Sequence, residues 1–151
     1  MSNNLKKMNV RKMRRIGKDI LAEPRRFNMI MWFAAVKSKE QARLRDHSTA
    51  SLPPCGTTCC FAGEWAIRYR QVDPMEIASD DHDGYTADGK CYIPSECMSD
   101  LGMPNSYLLF KSDWPDRLTK KMGKFKAGTK AYANYFVKVV LEDYIKTNGW
   151  D

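Results

Sequence analysis

The side chains best able to do covalent or metal chemistry in this chain are five cysteines and two histidines. Cys55, Cys59 and Cys60 cluster, and Cys91 and Cys97 follow further along, with His47 and His82 as the only imidazoles. A structural zinc usually takes ligands paired about two to four residues apart on each side. The Cys55/Cys59 spacing fits that rule, but Cys91 and Cys97 stand too far apart and separate a strand from a helix. The sequence therefore predicts no metal site and no cofactor. A thiol nucleophile is the sharper alternative. Cys59 or Cys60, in the first turn of a helix, would feel the positive end of its dipole, which lowers a thiol pKa. His47 or His82 could serve as the base, oriented by Asp80, Asp81 or Asp83. Against this, free cysteine is among the most buried residue types, and Phe61, Ala62 and Trp65 adjoin the cluster, so these thiols read first as core.

Other candidate chemistry is sparse. The stretch 80–84, DDHDG, offers oxygen ligands but lacks the spaced pattern and terminal Glu of a calcium loop, and reads as an acidic turn. Glycine-rich phosphate loops, nucleophile elbows and paired-histidine motifs do not occur.

Charge is more telling by position than by total. The net charge is +7. Lys6, Lys7, Arg11, Lys12, Arg14, Arg15 and Lys18 supply it, because residues 1–18 contain no acid and the remainder balances. Such segregation points to an anionic partner, either nucleic acid or a host protein with an acidic surface. These seven residues are the predicted binding residues.

Elements must hold these groups in place. Leu5, Met8, Met13, Ile16, Ile20 and Leu21 recur at helical spacing, which predicts a basic amphipathic helix over 4–22, stopped by Pro24. The apolar run 27–36 reads as a short buried helix, too short to span a membrane. Gly56 with Thr57 or Thr58 predicts the start of a helix carrying Phe61, Trp65 and Tyr69 as one stripe. Asp88-Gly89 predicts a hairpin near 85–93. Pro94 opens a helix ending near Gly102, and Pro104 opens another through Phe110. A second basic stretch, 117–130, precedes a last helix begun by Gly128 and Thr129. Its predicted core face is Tyr132, Tyr135, Phe136, Val139, Val140 and Tyr144, and Gly149 stops it. The expected fold is mainly α with a small hairpin: a basic helix or arm over 1–22 and a single helical domain over 23–151.

Three segments together, PRRFNMIMW at 24–32, CGTTCCFAGEWA at 55–66 and IPSECMSDLGMPNSYLLFKSDWP at 93–115, resemble a group of small uncharacterised bacterial and bacteriophage proteins. That group carries P-x-x-F-x-M-x-x-W, then C-G-T-x-x-C-x-A-G-x-A, then I-P, L-G, L-F and W-P. Cys55, Gly56, Thr57, Ala62 and Gly63 fall on the central motif. Glu64 lengthens its A-G-x-A spacing by one residue, and Cys97 stands where a small apolar residue is expected. The basic arm lies outside the shared pattern. The resemblance implies a bacterial or phage origin and assigns no catalytic residue.

With no secretory leader or apolar span in view, the chain reads as cytoplasmic, in the host cytoplasm if phage-encoded, and not bound to membrane. The leading expectation is a small phage-encoded binding protein acting by stoichiometric contact through a basic surface. A thiol-dependent enzyme centred on Cys55, Cys59 and Cys60, or a virion-associated structural protein, are the alternatives. Oligomeric state is left open.

Overall fold

A computed structural model of the protein describes residues 7–29, 33–35, 57–71 and 92–150. Helices dominate it. The first, α1 (Val10–Ala22), begins later than the hydrophobic spacing predicts, because the Asn9 side chain accepts a hydrogen bond from the Lys12 N–H and caps the helix there. It ends before Pro24, which opens a 3-10 turn, Pro24–Arg26. Met13, Ile16, Gly17 and Ile20 form its buried face. The helix packs on three others and is a wall of the core, not a detached arm.

The described residues of the apolar run after it, 27–29 and 33–35, form no helix. Phe33–Ala35 (β1) pairs antiparallel with Thr57–Cys59 (β2), Ala34 opposite Thr58. A nearly all-apolar run has no period to separate strand from buried helix, and here a distant strand decides. The same pairing takes Thr57 and Thr58 into a strand, so neither caps the next helix. Cys60 occupies the N-cap position of α2 (Phe61–Tyr69). Phe61 and Trp65 of the predicted stripe are buried, and Tyr69 packs at its margin.

Helix α3 (Ile93–Leu101) has Pro94 in its first turn and ends at Gly102, whose φ of 63° is the left-handed stop. Ile93 belongs to this helix, and the rest of the expected hairpin lies outside the described residues but for Tyr92. Where one helix was expected after Pro104, two 3-10 turns stand instead, Tyr107–Leu109 and Lys111–Asp113. Then follow α4 (Asp116–Met122) and a C-terminal helix in three pieces: α5 (Lys130–Tyr135), a π turn (Phe136–Leu141) and α6 (Glu142–Lys146). The Thr129 hydroxyl oxygen caps α5 by accepting from the Tyr132 N–H.

Phe136 is the centre of the core. Its ring lies 4.7 Å from Phe27, 5.8 Å from Phe61 and 5.7 Å from Trp114, centroid to centroid. The predicted face of this helix is buried except Val139, which is 40% exposed. A π turn winds about one extra residue into the helix and so rotates that position outward.

Candidate functional site

Helix α1 positions the candidate site. At about 100° per residue, Arg11, Arg14, Arg15 and Lys18 fall within one third of the helix circumference, opposite Met13, Ile16 and Ile20. All four are exposed, as is Lys7 just before the helix. Burial of the apolar face therefore orients the cations outward. Lys6 lies outside the described residues.

Two of the predicted binding residues are tied into the body. The Lys12 ammonium donates to both oxygens of Asp100 at 3.1 Å and sits 4.8 Å from the centroid of the Tyr69 ring. Asp100 also accepts from Trp65 Nε1 at 2.8 Å. Lys12 thus links α1 to α2 and α3, and its charge is not free for a partner. Arg14 donates two hydrogen bonds to Glu142, at 2.9 and 3.1 Å. Arg11, Arg15 and Lys18 make no ion pair with any described residue.

Beside Arg14 opens a groove of about 540 Å³, lined by Arg14, Lys138, Val139, Glu142, Asp143, Ile145 and Lys146. Asp143 accepts from Arg117 and from Trp150 Nε1, both at 2.7 Å. Partial burial raises its pKa, but those bonds and the charge of Lys146 outweigh it, leaving the carboxyl below its ordinary value. Lys138, Lys146 and the two adjacent carboxylates, Glu142 and Asp143, are not marked by anything in their local sequence pattern.

A second, smaller cleft of about 290 Å³ lies on the other side of α1 and includes Asp19, Glu23, Arg26, Glu64 and Arg68. Its floor is the Arg26–Glu64 pair, bonded twice at 2.7 and 3.0 Å, with Glu64 only 1% exposed. Arg68 grips Asp19 at the rim. Both cations face carboxylates already.

The two thiols described by the structure, Cys60 and Cys97, are placed otherwise than nucleophiles need. Cys60 and Cys97 are free and buried. Burial pushes the Cys60 thiol up to about 12, outweighing the backbone N–H groups of Ala62 and Gly63 at the helix start. Burial raises Cys97 as well, with Cys60 and Asp100 adding to it. At neutral pH Cys60 is a protonated core residue, which corrects its candidacy as an activated thiolate. Cys59 is the last residue of β2, one step before the helix cap. Cys55, His47 and His82, with Asp80, Asp81 and Asp83, lie outside the described residues. Among the described residues, no three His, Cys, Asp or Glu side chains group as metal ligands would, and no helix is long and apolar enough to cross a membrane.

No family model matches the chain, and neither a curated protein nor a solved structure does.

Proposed function

We propose that this is a binding protein, acting by stoichiometric contact between the outer face of α1 and an anionic macromolecule. The observation that carries the reading is the exposure of Arg11, Arg15 and Lys18 on one helix face, with no carboxylate among the described residues paired to them. Like charges held together on a rigid, well-packed helix repel one another, and an anionic surface relieves that repulsion. The burial of Cys60 supports contact over covalent chemistry. The setting that goes with the proposal is a phage-encoded protein in the cytoplasm of its host, as the three segments at 24–32, 55–66 and 93–115 imply.

The test is salt elution from a sulfated polyanion column. Replacing Arg11, Arg15 and Lys18 by Ser leaves Lys12 and Arg14 in their ion pairs and should barely alter folding, since exposed charges contribute little to stability. The variant should elute at clearly lower salt than a charge-matched control in which Arg25, Arg70 and Lys111 are replaced by Ser. Equal elution of the two variants would remove the special role of α1.

A further inference from the structure

The second basic stretch, 117–130, takes no part in the reading above. Arg117, Lys120, Lys121 and Lys124 recur at three- and four-residue intervals, which places them on one face of α4 and its exit. All four are exposed. A single bond fixes where that face points, since Arg117 Nη2 donates to Asp143. The neighbouring residue, Glu142, is held by Arg14 of α1. Two adjacent carboxylates of α6 thus take one arginine each, from opposite ends of the sequence. The basic faces of α1 and α4 therefore each reach the C-terminal helix, at adjacent residues, and Lys138 and Lys146 of that helix stand exposed in the groove beside Arg14. What the sequence separates into two basic stretches, the fold joins into one belt.

We propose that the belt binds a nucleic-acid backbone, its cations on α1, α4 and the C-terminal helix contacting successive phosphates without reading bases. This rests on the proposed function and extends it, adding α4 and choosing phosphate over an acidic protein surface. The choice follows from the scarcity of apolar anchors. Protein interfaces are held by aromatic and aliphatic hot spots in a desolvated centre. Among the described residues the exposed large hydrophobics are Tyr107 and Val139, and only Val139 lines the groove. Nucleic-acid interfaces are polar and strongly positive, as this surface is. The two carboxylates within the belt are each neutralised by an arginine, so they do not break its sign.

Fluorescence anisotropy with a short mixed-sequence DNA duplex, from about 50 to about 200 mM salt, tests the proposal, with poly-glutamate as the rival anion. Two triple variants are compared with the parent protein: Lys120→Gln, Lys121→Gln, Lys124→Gln on α4, and Arg11→Gln, Arg15→Gln, Lys18→Gln on α1. Each should weaken duplex binding about tenfold or more and flatten the log–log salt slope by about 2.7, or about 0.9 per lost phosphate contact. Far-UV circular dichroism should be unchanged in both. Duplex affinity and slope unaltered by the α4 variant overturn the belt, while a loss in the α1 variant alone keeps the proposed function standing. Poly-glutamate bound as tightly as the duplex at every salt overturns the choice of nucleic acid and leaves the basic face intact. If the α1 variant binds both anions like the parent, the reading of α1 itself falls.

Discussion

Gly17 sits mid-helix in α1 where the C-terminal helix crosses it, and the closeness of that crossing can be measured. A Cβ added there would stand 3.0 Å from Val137 Cγ1 and 3.3 Å from Leu141 Cδ2. Alanine in a helix interior is favoured over glycine by about 1 kcal/mol. Forcing a methyl into a packed contact costs about 1–3 kcal/mol. Gly17→Ala should therefore fall between neutral and about 2 kcal/mol destabilising. Gly17→Val adds two more methyls against the same neighbours and regains less propensity, so its expected cost is about 3 kcal/mol. Urea unfolding followed by circular dichroism reads both. With an m value of about 2 kcal/mol/M, the valine variant should lower the midpoint by about 1.5 M. Truncating the neighbour supplies the control: Val137→Ala should make Gly17→Ala cheaper, with a favourable coupling of about 1 kcal/mol. A Gly17→Val protein within about 0.5 kcal/mol of the parent would refute the close crossing, and with it the way α1 is held against the π turn of the C-terminal helix.

Two further outcomes follow from buried groups. Arg26→Met should cost about 2–3 kcal/mol, because it leaves the Glu64 carboxylate buried without its guanidinium, and adding Glu64→Leu should recover most of that loss. Simple additivity of the two substitutions in chemical unfolding would mean that the pair is not coupled. Cys60, with its thiol pushed up to about 12, should resist iodoacetamide in the native protein at pH 8 and label at the rate of global unfolding. Peptide mass spectrometry showing fast native labelling at Cys60 would revive the nucleophile reading.

Local signals were legible where local chemistry decides. Pro94 and Gly102 mark the two ends of α3, Thr129 caps α5, and the polar and apolar faces of α1 fall as their spacing requires. The strand Phe33–Ala35 was illegible because its identity depends on Thr57–Cys59, which no pattern within either segment reveals. Periodicity places Val139 in the core because it assumes a uniform helix, and the π turn breaks that assumption. The candidate site divides in the same way. That α1 is basic and amphipathic is plain from its residues. That Lys12 is neutralised by Asp100 and Arg14 by Glu142 depends on partners 88 and 128 residues away.

The π turn also bears on how this chain can change length. Its turns hold about one residue more than α-helical winding would use between Tyr135 and Glu142. Elsewhere in a helix, loss of one residue turns everything beyond it by about 100° and scatters a buried face. Here the same loss would convert the π turn to an α turn and leave α6 facing as it does now. Arg14 would still reach Glu142, and Arg117 and Trp150 would still reach Asp143. The exposed pair Lys138 and Val139 is where such a deletion disturbs least. Residues 136–141 are thus a length-tolerant joint in an otherwise register-bound helix, and single-residue insertions and deletions in descendants of this sequence should concentrate there.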